Sequence, residues 1–260
     1  MDLEAELDRA RTLSVASLAD AVESIGFECT RCGACCKGYV GCDDGATGEG
    51  TDARDEDGDP HTATVFPDEV RRLRAAATTA DDPALDEAYD WRDVARPMPY
   101  GLETSGADGE GDADRTAAGE TFEWALATDD CGDCTFYDED GDEGRCTVHD
   151  ARPLICRTYP FSVALADGDG QATTAPMGGV VAREGAVRAH ECEGLGREMS
   201  RADAEEMARA LKERAVRELE EAIGVRDNYA PAETDGVVIH DSEGAKRPDG
   251  RRLDGEDTHP

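Results

Sequence analysis

Cys29-Thr-Arg-Cys32-Gly-Ala-Cys35-Cys36 is the stretch whose reading decides the fold: four thiols in eight residues, the last two adjacent. A two-residue spacer lets the backbone turn so that successive cysteine side chains converge on one centre, and iron-sulfur proteins repeat that spacer in C-x2-C-x2-C runs. Zinc modules more often join two well-separated C-x2-C pairs. Thiols at i, i+3 and i+6 therefore lean toward a cluster, although either metal accepts such ligands. Neighbouring side chains diverge, so Cys36 does not easily point at the centre that Cys35 serves and is a candidate for a second site.

Working outward, the remaining cysteines lie in a loop (Cys42), in a second rich region (Cys131, Cys134, Cys146, Cys156) and in isolation (Cys192). The opening Met1-Asp-Leu-Glu-Ala-Glu has no basic or apolar leader character, and no apolar run approaches the ~18 residues that span a bilayer, so a cytoplasmic protein with no membrane contact is expected. In a reducing compartment ten cysteines read as metal ligands rather than disulfides. Acidic residues number 61 against 27 basic, for a formal charge of −34, which repels phosphate backbones and excludes nucleic acid as a partner. Only Lys37, Lys212 and Lys246 are lysines.

The apolar periodicity predicts a folded domain with an acidic surface. Asp2 is placed to cap a helix carrying Leu3, Leu7 and Ala10, continued by Leu18, Val22 and Ile25 up to Gly26. Residues 43–60 read as an acidic loop, Ala63 to Phe66 as a strand, and Pro67-Asp68-Glu69 as the first turn of a helix over Val70 to Ala77. Asp82-Pro83 starts another, with Leu85, Tyr89, Trp91 and Val94 inward, and residues 104–119 read as a second exposed Gly/Asp loop. Phe122, Trp124 and Leu126 alternate as in a half-buried strand. Two strands around an acidic turn bring Cys134 and Cys146 together, and Val163 and Leu165 belong to a strand turned back by Asp167-Gly-Asp-Gly170. Ser200 and Asp203 open a helix with a stripe of Ala204, Met207, Leu211, Ala215, Leu219 and Ala222, ending at Gly224. Residues 1–224 are read as the domain and 225–260 as a loosely structured polar tail with one apolar run, Val237 to Ile239.

The histidines and acidic runs carry weaker signals. His149 and His190 lie close to cysteines but read as surface or packed imidazoles. His240-Asp241-Ser242 lacks the spatial arrangement of a hydrolase triad, since adjacency in sequence does not supply it. Asp138, Asp140 and Asp142 imitate a calcium loop, but Glu143 and His149 stand where that motif needs Gly and Glu. Arg152 and Arg157 flank Cys156, where cations offset thiolate charge.

In order and content these motifs resemble the CxxCxxCC cysteine-cluster family (YkgJ-type) of zinc- or iron-chelating domains. The likeness rests on Cys29, Cys32, Cys35 and Cys36, on Val65-Phe66-Pro67-Asp68-Glu69, on Cys134-Thr-Phe-Tyr, on Cys146-Thr-Val-His149, on Arg152-Pro-Leu-Ile-Cys156-Arg157-Thr-Tyr-Pro160-Phe161 and on Cys192-Glu-Gly194, spanning about residues 25–196. Thr135 and His149 depart from the usual Pro and Tyr, and Cys42 and Cys131 have no counterpart. The acidic, lysine-poor composition further resembles proteins of salt-loving archaea. The resemblance implies metal ligation by Cys29, Cys32, Cys35, Cys36, Cys134, Cys146, Cys156 and Cys192, enough for two four-ligand centres or one centre with spare thiols.

The expected fold is α+β, a metal-centred domain of short strands and hairpins framed by N- and C-terminal helices. The leading function is an iron-sulfur protein, most simply one [4Fe-4S] cluster on the N-terminal cysteines plus a thiol of the second region, serving electron transfer or a cluster-dependent reaction with a redox or protein partner. The alternative is a zinc-binding structural or interaction module. A third reading, an enzyme like the flagellin lysine N-methylases, is implied by the resemblance alone, and the chain shows no Gly-rich nucleotide loop for it.

Overall fold

A computed structural model describes residues 2–38, 61–79, 89–105, 116–140, 143–165, 179–232 and 235–253. Asp2 caps α1 (Leu3–Thr12), its carboxylate accepting from the Ala5 amide at 3.2 Å. The single helix expected up to Gly26 is instead two. Leu13 turns out at φ −53°, ψ 131°, and Ser14 caps α2 (Val15–Ile25) by accepting from the Ser17 amide. A serine hydroxyl offers an alternative partner to backbone amides, so Ser14 starts a new helix where apolar periodicity alone reads one. Both helices lie against α6 (Arg201–Asn228): Leu7 and Ala10 of α1 meet Ala215 and Leu219, while Leu18, Ala19 and Val22 of α2 meet Ala204, Ala208 and Leu211.

Helix α6 begins as read, with the Ser200 hydroxyl accepting from the Asp203 amide at 3.2 Å. It does not stop at Gly224. A Cβ there would lie 2.6 Å from the Ser242 Cβ, so this glycine serves a close approach between helix and strand rather than a helix end.

Among the described residues the strands form four small sheets. In the first, β1 (Thr64–Val65), β5 (Trp124–Leu126) and β2 (Ala95–Pro97) pair antiparallel in the order β1-β5-β2. Helix α3 (Pro67–Thr79) follows β1 as expected, and the short α4 (Trp91–Val94) starts in a capping box of Asp90 and Asp93. The Asp82-Pro83 helix start lies outside the described residues. Strand β5 is buried at all three positions and Phe122 is exposed, so the expected alternation fails: a central strand covered on both faces reads as a continuous apolar run.

The expected loop 104–119 is bounded by strands, β3 (Leu102–Ser105) and β4 (Thr116–Thr121), which pair antiparallel. The hairpin β6 (Tyr137–Asp140) and β7 (Glu143–Cys146) forms as expected, and β8 (Phe161–Val163), β10 (Val187–His190) and β9 (Val180–Glu184) make a third sheet. Helix α5 (Leu154–Thr158) carries Cys156.

Past α6 the segment read as a polar tail contains β11 (Val237–Asp241) and β12 (Gly244–Lys246). Strand β11 adds in parallel to β4, with Val237 opposite Gly119 and Ile239 opposite Thr121, and its Val238, Ile239, His240 and Asp241 are buried. Buried Asp241 accepts the Trp124 indole N–H at 2.8 Å and pairs with Lys246 at 2.8 Å, whose ammonium lies 5.3 Å from the Trp91 ring centre. Trp91 and Trp124 meet edge to face at 5.2 Å, at the heart of a core that includes Leu73, Val94, Leu126, Phe136 and Ile239. The class is α+β, as expected, and among the described residues no helix is long and apolar enough to cross a membrane.

Candidate metal centre

Helix α2 delivers the first cysteines. It ends at Gly26, φ +75°, where a Cβ would lie 2.3 Å from the Arg197 carbonyl oxygen. From there the arm toward Cys29 is zipped to the loop after Cys192: the Glu28 amide donates to the Gly194 carbonyl and the Gly196 amide to the Gly26 carbonyl, both at 3.0 Å. Gly194 is required because a Cβ would sit 2.2 Å from the Glu28 carbonyl oxygen.

The loop then curls through Arg31, φ 58°, and Gly33, φ +75°, whose carbonyl accepts from the Cys36 amide at 2.7 Å. It meets the second cysteine region through three backbone-anchored bonds. The Gly144 amide donates to the Arg31 carbonyl at 2.9 Å, the Cys134 amide to the Cys36 carbonyl at 2.8 Å, and the Gly38 amide to the Asp133 carboxylate at 2.7 Å. The Tyr137 side chain lies against both the loop and the hairpin, since a Cβ on Gly33 would come within 2.2 Å of its hydroxyl and one on Gly144 within 2.5 Å of its ring. Lys37 pairs with Glu139 of the same hairpin at 2.8 Å.

Cys156 is positioned from a different direction. The buried Glu69 carboxylate accepts from the Leu154 amide at 2.9 Å and the Phe66 amide at 3.2 Å, fixing the start of α5 against α3. Burial raises the pKa of this carboxyl, against the lowering effect of those amides and Arg72.

The eight cysteines expected as ligands are all free thiols. Cys131 is disulfide-bonded, which the reading of all cysteines as reduced ligands did not foresee, and Cys42 lies outside the described residues. Three thiols accept a hydrogen bond from the amide two residues onward: Cys134 from Phe136, Cys146 from Val148, and Cys192 from Gly194 at 3.4 Å. Such amides favour thiolate over thiol, and the Arg152 guanidinium acts in the same sense on Cys35, Cys146 and Cys156.

Against this, burial pushes Cys134 up to about 12 and Cys156 well above the ordinary thiol range, each raised further by neighbouring thiols. Cys35 and Cys36 have sulfurs 3.9 Å apart. The hydrogen bond from Cys36 brings Cys35 down to about 7 while the Cys36 thiol is driven up. Removing these protons without a cation is unfavourable, and a soft-ligand metal supplies that cation. The donor set therefore fits a thiolate-bound metal. As the side chains stand, no three His, Cys, Asp or Glu among the described residues are gathered closely enough to hold one ion.

The remaining candidates fall away from the thiols' chemistry. His149 is exposed beside Asp150, and His190 is buried against the Ser162 hydroxyl at 2.9 Å. Asp138 is ion-paired with Arg145 across the hairpin. Arg152 also donates to the His149 carbonyl at 3.1 Å. Sequence reasoning missed buried His61, whose Nε2 lies 2.9 Å from the Cys35 carbonyl, as well as the clamp of Tyr137 and the anchor of Glu69. No spacing rule marks such contacts.

A family model described as "CxxCxxCC: Putative zinc- or iron-chelating domain" matches residues 28–193, from the arm before Cys29 to the residue after Cys192. No curated protein and no solved structure matches the chain. Since the match takes in all eight free thiols and more than half of the chain, the protein belongs to the CxxCxxCC family of zinc- or iron-chelating domains.

Proposed function

We propose that the protein is a metal-thiolate protein whose occupant is an iron-sulfur cluster, in the simplest form [4Fe-4S], acting in electron transfer or a cluster-dependent reaction in the cytoplasm. The observation that carries this reading is that eight free thiols lie on three chain segments held together by the Cys134–Cys36 and Glu28–Gly194 backbone bonds. The C-x2-C-x2-C run within that set is the spacing that suits a cluster. When bound, the cluster supplies one-electron chemistry. The chain's part is to hold it through the cysteines, to offset its negative charge with Arg152, and to aim the Phe136, Val148 and Gly194 amides at ligand sulfurs. The partner is a redox or other protein, because a charge of −34 repels nucleic acid.

Zinc is the second reading, favoured by one feature. Cys134 and Cys146 sit at a hairpin walled by the Trp91/Trp124 core, the closed setting of structural zinc sites. The lysine N-methylase reading draws no support from the family description.

Anaerobic purification followed by iron, zinc and acid-labile sulfide analysis separates the two. Brown protein with iron and sulfide is expected. Colourless protein with stoichiometric zinc and no sulfide replaces the first reading with the second, and protein without either metal overturns both.

A further inference from the structure

We propose that His61 is a positioning residue of the cysteine loop, fixing the peptide between the adjacent thiols Cys35 and Cys36, and that Arg96 seats His61 from behind. The proposal rests on the metal-thiolate reading and adds to it a device, outside the cysteines, that shapes the loop before a metal arrives.

His61 is 5% exposed, and its Nε2 lies 2.9 Å from the Cys35 carbonyl oxygen. A carbonyl only accepts, so Nε2 carries the hydrogen and Nδ1 holds the lone pair. That Nδ1 is buried without a hydrogen-bond partner, which leaves the bond to Cys35 as the one the ring makes. The backbone of His61 is held on both sides: its amide donates to the Gly132 carbonyl at 2.9 Å, and its carbonyl accepts from Arg96 Nη2 at 2.7 Å.

Arg96 stands on β2 opposite Ala125 of β5. Its Nε is buried and unbonded, and among the described residues the hydrogen bond to His61 is the one its guanidinium makes. A desolvated cation with a single neutral acceptor is a poor source of stability. What this arrangement secures is the place of His61.

The effect on the loop runs through one peptide unit. His61 polarises the Cys35 carbonyl, and the N–H of the same peptide, that of Cys36, donates to the Gly33 carbonyl at 2.7 Å and closes the turn. Hydrogen bonds linked in this way strengthen one another. The next carbonyl, that of Cys36, accepts from the Cys134 amide at 2.8 Å. Gly132, which holds His61, lies in the same turn as Cys134, closed by the Gly132 amide on the Asp129 carbonyl at 3.0 Å and the Asp129 amide on the Asp133 carbonyl at 2.9 Å. Two consecutive carbonyls are therefore anchored to one turn, the first through a side chain and the second directly, and the backbone that carries both sulfurs is set without help from any ion.

The test compares full-length, reduced, metal-free protein with His61→Gln, His61→Asn and His61→Phe by residue-resolved hydrogen exchange. A Gln amide nitrogen reaches the place of Nε2, an Asn one falls short, and Phe fills the space without a donor. The Cys36 and Lys37 amides are expected to exchange about fivefold faster in His61→Asn and His61→Phe, the value of one net hydrogen bond, and at the unaltered rate in His61→Gln. Arg96→Gln, too short to hold the His61 carbonyl, moves the same amides in the same direction by less. Cobalt(II) titration, read by thiolate absorption, should follow the same order, with binding about fivefold weaker in His61→Asn and His61→Phe.

Unchanged exchange at Cys36 in His61→Asn and His61→Phe overturns the proposal, as does equal loosening in His61→Gln and His61→Asn. Faster exchange spread evenly over β1, β5 and β2 also overturns it, because it marks a residue that merely supports the sheet. Should His61→Phe fail to fold by circular dichroism, His61→Gln against His61→Asn decides. If the exchange pattern appears and no form takes up cobalt(II), the metal-thiolate reading falls and the positioning of the Cys35–Cys36 peptide stands.

Discussion

Cys134 is 7% exposed and shares a buried cluster with Trp91 and Trp124, whereas Cys29 and Cys32 stand in solvent on an arm held by backbone bonds to the Gly194–Gly196 loop. The same residue type is thus supported in two ways within one site. Behind Cys134 lies side-chain packing, whereas Cys29 is placed by two main-chain segments hydrogen-bonded to each other. Density of cysteines in a sequence says nothing of this difference, which comes from what lies behind each thiol.

The largest expected effect is behind Cys134. Trp124→Ala removes the ring that backs Cys134 and leaves buried Asp241 without its indole donor, and large aromatic truncations of this kind cost about 3–5 kcal/mol. Urea unfolding followed by circular dichroism should show that loss, and an unchanged midpoint would show that the ring does not support this side of the molecule.

Gly194→Ala tests the segments that place Cys29, with a smaller effect. Its Cβ would stand 2.2 Å from a carbonyl oxygen of the rigid Glu28 backbone, forcing the two segments apart. Such local overpacking costs about 1–3 kcal/mol. The expected result is a urea midpoint lowered by less than in Trp124→Ala, and an equal or larger loss would reverse the comparison.

The smallest effect is a control on the far side of Trp91. Partial burial acts to raise the Glu243 pKa, but hydrogen bonds from Arg71 and Lys246 prevail and hold it at about 2, below its ordinary 4.5. Because the folded value is lowered, the stability it contributes is present above pH 4.5 and disappears as pH falls toward 2. Glu243 is partly exposed, so Glu243→Gln should lower stability by no more than about 1 kcal/mol at pH 7, with the difference vanishing at low pH and cobalt uptake unaltered. A difference of equal size at pH 7 and pH 2.5 would contradict the assignment.

Local chemistry made much of this legible. Pro67 and Ser200 mark helix starts, an acidic turn marks the β6–β7 hairpin, and Cys192-Glu-Gly194 carries its glycine for a reason the Glu28 contact makes plain. The illegible parts depend on partners far away in the chain. Gly224 looks like a helix end until Ser242 is seen against it, and Val237 to Ile239 look like an isolated apolar run until β4 is seen beside them. The packing behind Cys134 was hidden in the same way, since no motif marks Leu73 or Trp91 as its neighbours in the fold.

The parallel pairing of β11 with β4 also separates two notions of where a domain ends. Homology stops at residue 193, but Trp124 inside that range takes its hydrogen-bond acceptor from Asp241 outside it. A fragment trimmed to the family boundary would carry an unpaired buried indole, an uncovered edge on β4 and neither α2 nor α6 to cover Phe161, Val187 and Ala189. What is inherited as a recognisable unit here is smaller than what folds, and expression of the shorter piece would report on that missing scaffold rather than on the cysteines.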